Sequence, residues 1–286
     1  MKIASIDIGT NAVKSKIFKT TPTSIEFIEG IRSPIRLGTD VFTNGLLAKD
    51  KLDLLVKTLR KYQKNFIKNK ISMYEIVATS AFRDTQNSEE ARRYVENKIE
   101  HPIRIISGLE EAKLIRFHPK AQSRSSKVYV DVGGGSTEIY IYQNNKHIIQ
   151  SFQLGAVRGM LGKDDPEEWS RLKKWLRKQP KTLTLVGLGG NIRSFLNLNN
   201  TKKMKSENFI KEITNLNSLD VGTKISAYKL QKDRADVIDF ALQIYIEIIK
   251  ILKVQEIKST KWGVSDSIAV KTFHELYSKK ISISRS

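Results

Sequence analysis

Two stretches decide how this chain is read: Ile3-Ala-Ser-Ile-Asp7-Ile-Gly9-Thr10-Asn11 and Val128-Tyr-Val-Asp131-Val-Gly133-Gly134-Gly135-Ser136-Thr137-Glu138. Each is a short apolar run ending in Asp, an aliphatic residue and Gly. Each is followed by a second strand-like run, Ala12 to Phe18 and Glu138 to Tyr142. Strand, tight polar turn and strand make a hairpin. A third run extends each meander, Ser24 to Ile28 and His147 to Gln153. Val128 to Val132 shows no alternation, the pattern of a strand buried on both faces. Asp7 and Asp131 lie 124 positions apart, so the similarity is a repeat at domain scale rather than a solenoid.

Outward from the hairpins, apolar spacing predicts helices over 49–69, 89–99, 110–118 and 236–252, and a closing helix over 267–277. Buried strands are expected at 74–78, 103–106, 183–188 and 256–264. The polar, basic stretch 202–208 reads as a loop, and 121–127 as a connector. The fold class is α/β in two similar domains, 1–121 and 122–286.

Composition sets the bounds. A chain of 286 residues with 40% hydrophobic residues can build a real core, which excludes wholesale disorder. Cysteine is absent, which excludes disulfide frameworks, thiolate zinc sites and cysteine nucleophiles. No apolar run is long enough to span a bilayer, and Asp7 interrupts any signal-type core, so the reading is cytoplasmic, with no membrane partner. The formal charge of +20 favours polyanionic partners such as nucleotides, phosphate polymers or nucleic acid.

The glycine turns have phosphate-binding chemistry. Glycine allows positive φ and close backbone approach, and successive N–H groups can form an anion nest. Thr10, Ser136 and Thr137 add hydroxyls. Asp7 and Asp131 are placed to orient a divalent cation, and hard oxygen ligands suit Mg²⁺. The alternative for either turn alone is an ordinary tight hairpin. Gly133 to Gly135 precede a strand rather than a helix, so this is no dinucleotide fingerprint, and no Gly-Lys-Ser/Thr loop is present. Val186-Gly-Leu-Gly189-Gly190-Asn191 differs: strand, glycines, then a helix start. It reads equally as an anion site or a strand–helix packing turn.

Two Asp-Gly hairpins in two similar halves resemble the actin, sugar-kinase and heat-shock ATPase superfamily. In detail the chain resembles the Ppx/GppA exopolyphosphatase and pppGpp phosphatase family, in a short two-domain form. The resemblance is carried by Ile6–Asn11, Ala78–Asp84, Ile105–Ala112, Asp131–Glu138, Gln153–Arg158, Val186–Gly190, Asp233–Ile238 and Val264–Asp266, in family order. Thr10 stands where serine is usual, Asn191 where threonine is common, and Ser267 where a glycine is usual. Long members carry further helical C-terminal domains, so processivity on long chains is not implied.

The resemblance implies two ribonuclease-H-like (actin-like ATPase) domains with an interdomain cleft. It marks Glu111 as the general base; by itself the pair Glu110-Glu111 also reads as helix-start acids interacting with the dipole. It implies phosphate contacts from Gly9, Thr10, Asn11, Arg83, Gly133, Gly134, Gly135, Ser136, Gly189, Gly190 and Arg234. Mg²⁺ or Mn²⁺ would sit at Asp131, Glu138 and Asp7. Arg83 otherwise reads as a surface arginine, and Arg234 as a partner of Asp233 or Asp236. The expected activity is release of terminal phosphate from polyphosphate or pppGpp. An ATP-dependent kinase and a binding protein without turnover are the alternatives. Basic runs at 57–70 and 171–181 contain no acid and interleave Tyr62, Phe66 and Trp175. They read as solvated helix faces or as a polyphosphate track. No nucleic-acid module signature is present. A homodimer is compatible with the sequence.

Overall fold

The computed structural model describes the backbone of residues 1–123 and 126–283, with side chains through Tyr277. Arg124 and Ser125, inside the expected connector, lie outside the described residues. The first sheet holds β1 (Lys2–Ile8), β2 (Ala12–Thr20), β3 (Ile25–Pro34), β4 (Met73–Ala78) and β5 (Arg104–Ile105) in the order β3-β2-β1-β4-β5. The second holds β6 (Lys127–Val132), β7 (Thr137–Gln143), β8 (Lys146–Phe152), β9 (Thr184–Leu188), β10 (Lys203–Lys205) and β11 (Glu256–Ser259). Its order is β10-β11-β9-β6-β7-β8. Each sheet has an antiparallel three-strand meander with parallel strands added beside its first strand. Read from the meander, the two orders coincide, and β10 is an extra antiparallel edge. This is the ribonuclease-H-like order, present twice.

The chain divides into two compact units, Met1–Ser107 with Val264–Ser286, and Gly108–Gly263. The sequence reading divided it at 121/122. The difference has a packing cause. Ile3 and Phe18 form an apolar cluster with Ala269 and Phe273, so the helix Val264–Ile283 is part of the first core. Ser5 Oγ donates to Ser265 O at 2.7 Å, and Lys16 Nζ meets Asp266 Oδ2 at 2.5 Å. At the other border, the helix Gly108–Leu114 packs on β7 and β8.

Several elements differ from expectation. β3 continues to Pro34, with a weak inside-outside alternation that hides its length. The stretch 202–208 is not a loop: β10 pairs there with β11, and the helix Ser206–Asn217 begins. Lys203-Met204-Lys205 is too short to show a strand's alternation, with one apolar residue between two lysines. The helix expected at 110–118 is the helix Gly108–Leu114 followed by a 3₁₀ turn, Ile115–Phe117. β11 stops at Ser259, and the closing helix starts at Val264. Among the described residues no helix is long and apolar enough to cross a membrane.

The second sheet carries an aromatic layer. Tyr129 and Tyr140 face each other across β6 and β7, and pack with Ile115, Leu188 and Trp262. His118 borders this layer, its ring 5.1 Å from Tyr129 and 5.4 Å from Trp262. Its Nδ1 accepts the Lys120 N–H at 3.1 Å, so protonating that nitrogen loses the bond. Burial, with Lys120 and Lys127 nearby, brings its pKa down from 6.5 to about 4. The unfolded chain therefore takes up the proton first, and stability is lost as pH falls from about 6.5 towards about 4. In thermal melts, His118→Gln is expected to lose less Tm between pH 7 and pH 5 than the parent. Equal losses would remove His118 as the acid-labile group.

Candidate active site

In the first unit the turn after β1 is closed by Gly9 N–H donating to Ala12 O at 3.2 Å. In the second, Gly133 N–H donates to Ser136 O at 2.9 Å, the same bond 124 positions on. The helix after each third strand docks on its turn through the same position. In Leu37–Asn44, Gly38 N–H donates to Thr10 O at 2.9 Å; in Ala156–Met160, Val157 N–H donates to Gly134 O at 2.8 Å. The repeat thus extends to individual backbone bonds.

Of the two reasons expected for glycine in these turns, positive φ is absent and close approach is present. None of Gly9, Gly133, Gly134 and Gly135 has positive φ; among the described glycines only Gly45, Gly162 and Gly189 do. What the second turn exploits is close approach. A Cβ on Gly155 would lie 2.6 Å from Gly134 O and Gly135 N, so the docking backbone presses directly on the glycine loop. Arg158, from that same helix, adds a bond from Nε to Gly135 O at 3.0 Å.

In the first unit Asp7 is 2% exposed, and its Oδ2 accepts from Lys14 Nζ at 3.1 Å. Lys14 is its cross-strand neighbour on β2. Thr10 Oγ1 lies 2.5 Å from Ser80 Oγ, which ties the turn to the helix Ser80–Arg83 after β4. Arg83, on that helix, donates from Nη1 to Ile106 O at 2.8 Å and lies 3.7 Å from Asp84 Oδ1. Its guanidinium is therefore held by a strand end rather than loose on the surface. Asn11 follows Thr10 in the turn, and its carbonyl accepts from Arg36 N–H at 3.0 Å.

The second unit gathers more. Asp131 on β6 stands directly opposite Glu138 on β7. Glu138 is 1% exposed, and its Oε1 accepts from Ser151 Oγ at 2.9 Å. Residues two apart on a strand share a face. The carboxylate pair therefore lies on the face of Tyr129 and Tyr140, at the mouth of the glycine turn. Ile115 packs on those tyrosines, which brings the helix Gly108–Leu114 over the same face. Glu111 lies one helical turn before Ile115 and is 9% exposed. The helix that bears Glu111 thus lies over the face that carries Asp131 and Glu138. Among the described residues no group of three or more acids or histidines that could hold a metal ion is found.

Gly189 closes this region. Its φ is 78° and ψ −165°, a conformation open essentially to glycine alone. A Cβ there would lie 2.6 Å from Asp131 Oδ1. Gly190 starts the helix Gly190–Leu198, and the Arg234 guanidinium lies against it. Arg234 Nη1 donates to Asn191 Oδ1, and Asn191 Nδ2 donates to Val132 O at 2.9 Å. Asn191 therefore couples Arg234 to the last residue before the glycine loop. Tyr245 lies beneath β6 and donates to Val130 O at 3.3 Å. Burial, with the Asp131 charge nearby, pushes its phenol well above 10, so it stays a donor.

Sequence reading left Lys14, Ser80, Ser151 and Arg158 without roles. Lys14 and Ser151 are found by counting outward from the turns, since hairpin register sets them opposite Asp7 and Glu138. Ser80 and Arg158 carry no such signal. The two units differ at one telling position: Lys14 and Glu138 occupy equivalent places, opposite Asp7 and Asp131. The first carboxylate is paired with a cation from its own hairpin. The second is paired with another carboxylate.

The fold is thus α/β, with the same aspartate-bearing hairpin and glycine turn in each unit. The sequence model of the Ppx/GppA phosphatase family matches residues 16–276, and the chain belongs to that family. It is similar to the solved structure of an Aquifex aeolicus Ppx/GppA family member, at 24% identity and a TM-score of 0.77. That match covers 96% of this chain and 98% of the other. It is also similar to an exopolyphosphatase from Cytophaga hutchinsonii, at 18% identity and a TM-score of 0.86, with the same two coverages.

Replacing Gly189 with Ala is expected to cost about 1–3 kcal/mol of stability in urea unfolding, the usual range for such a backbone conformation. Unchanged stability would mean that the loop relaxes freely away from Asp131.

Proposed function

We propose that the protein removes the terminal phosphate from inorganic polyphosphate or pppGpp by attack of a water activated by Glu111. The observation that carries this reading is that the helix bearing Glu111 packs over the sheet face on which Asp131 and Glu138 stand opposite each other at the glycine turn. The family membership and the name of the Cytophaga hutchinsonii relative support the substrate class.

Asp131 and Glu138, opposite each other at the glycine turn, offer hard oxygen donors that fit a divalent cation, Mg²⁺ or Mn²⁺, which commonly binds through one or two carboxylates plus phosphate oxygens. Gly189 leaves Asp131 Oδ1 clear of any Cβ. Asp7 fits this role less well, since Lys14 Nζ already occupies its Oδ2. A cation bound at the pair would neutralise charge on the phosphate oxygens as the bond breaks.

The chain's own groups do the rest. Glu111 takes one proton from the attacking water as its oxygen bonds to the terminal phosphorus. The bond to the bridging oxygen breaks, and that oxygen leaves on the shortened chain. Phosphoryl transfer depends mainly on positioning and charge stabilisation, which backbone N–H groups of the glycine turns and the guanidinium of Arg234 supply. In the first unit, Thr10, Asn11 and Arg83 offer the same phosphate chemistry.

Glu111→Gln is expected to lower kcat by ~10²–10⁴-fold, the usual contribution of a general base, with KM little changed. Near-parental turnover would remove Glu111 from the reaction. Phosphate release from polyphosphate, tripolyphosphate and pppGpp, measured with Mg²⁺ and then with excess EDTA, tests the rest. Activity is expected to vanish with the chelator and to return on adding Mg²⁺. Full activity in EDTA would rule out the Asp131–Glu138 cation.

A further inference from the structure

The first unit has a basic groove of about 1000 Å³ between the helix Lys49–Lys68 and the helix Ser88–Ile99. Lys57, Lys61 and Lys64 line it from the first helix and Lys98 from the second. All four are exposed, and none of their ammonium groups makes an ion pair or hydrogen bond. Asp53 is the one acid among the lining residues. It is already engaged, by Lys49 Nζ at 2.7 Å and by the Tyr94 hydroxyl. The basic run expected at 57–70 is therefore not evenly solvated. Part of it is gathered into a hollow with uncompensated charge.

The spacing suits a linear anion. Positions 57, 61 and 64 recur at four and three residues, which puts them on one face of the helix. They span about 10 Å of its axis at ~1.5 Å per residue. The helix is fixed along β3, starting near the first glycine turn. Lys51 Nζ reaches Ile35 O at 3.3 Å, Tyr62 OH reaches Ser33 Oγ at 2.8 Å, and Asn65 Nδ2 reaches Glu29 Oε1 at 2.6 Å. β3 and β2 pair Ser33 with Val13, next to the turn. The lysine stripe thus leads away from the turn that holds Thr10 and Asn11.

The groove offers charge and no stacking surface. Tyr62 and Phe66 are buried in the core. Tyr94, the aromatic residue on the groove, has Lys49 Nζ over its ring at 5.7 Å. Single-stranded nucleic acid is held by bases stacked on aromatic faces, whereas a phosphate polymer without bases needs only the cations. We infer that this groove is a binding site for long-chain inorganic polyphosphate within the first unit. The inference rests on the substrate reading above and names a second place where that substrate binds, apart from the carboxylates of the second unit.

The test uses the full chain and measures binding separately from turnover. Long-chain polyphosphate, tripolyphosphate and poly(U) RNA are titrated across a salt series. The proteins are the parent, Lys57→Ala/Lys61→Ala/Lys64→Ala, and a charge-matched control, Lys174→Ala/Arg177→Ala/Lys178→Ala. The three groove lysines are exposed, so alanine keeps the helix. In the groove variant, long-chain Kd is expected to rise at least ~10-fold, and the slope of log Kd against log salt to fall by about 2. That slope follows from ~0.7 per neutralised phosphate on a single strand. Tripolyphosphate turnover should stay parental, and the control should change long-chain binding much less. Equal effects in both variants, or none, would overturn the inference. Loss of RNA binding with polyphosphate binding intact would assign the groove to nucleic acid instead. A parent that cleaves tripolyphosphate while the groove variant binds long chains normally leaves the substrate reading standing and removes only the groove. A parent that binds long chains through these lysines but cleaves no polyphosphate removes the substrate reading and keeps the groove as a binding site.

Discussion

In a hairpin, a shift of one residue sends every side chain to the opposite face. The backbone bond from Gly133 N–H to Ser136 O holds that register in the second unit, and Gly9 N–H to Ala12 O holds it in the first. Everything chemical follows from these two bonds. With the turn closed this way, Asp131 meets Glu138 and Glu138 meets Ser151. Slipped by one, the carboxylates would leave the aromatic face and be aimed at the helices packed behind the sheet. The docked helix Ala156–Met160 guards against slippage by bonding Gly133 O and Gly134 O together.

The same frame explains how one architecture carries two electrostatic solutions. At equivalent hairpin positions the first unit places Lys14 and the second Glu138. In the first, Lys14 neutralises Asp7 across the hairpin. In the second, a carboxylate stands opposite a carboxylate. The duplication kept the backbone and changed the charge of one cross-strand partner.

Much of this was legible because it is local. Asp-x-Gly after an apolar run fixes strand, turn and strand within a dozen residues, and both hairpins lie where the pattern puts them. Glu111 on a short helix, and Gly189 between strand and helix, were equally local. What was hidden depends on partners far along the chain. Nothing in Ala269 or Phe273 says that they cover Ile3 and Phe18. The bond from Arg234 to Asn191 bridges more than forty positions, and nothing next to either residue signals it. β10 was hidden for another reason: a three-residue edge strand is defined by its neighbour, not by its own composition. Positive φ, one of the two reasons offered for glycine in the turns, is absent; a Cβ on Gly9 or Gly133 would instead press on the carbonyl that closes its own turn, at 3.0 and 3.1 Å.

The helix Val264–Ile283 has a consequence for the order in which the molecule can be built. A ribosome releases β1 to β5 first, with Ile3 and Phe18 lacking the surface that will cover them. The whole of Gly108–Gly263 then emerges, and it holds its own sheet and helices. Only afterwards does the segment bearing Ala269 and Phe273 appear. The later-made unit can therefore reach its final fold during synthesis, while the earlier one waits with an open apolar face. For that interval the first sheet carries exposed apolar surface of the kind through which partly folded chains associate.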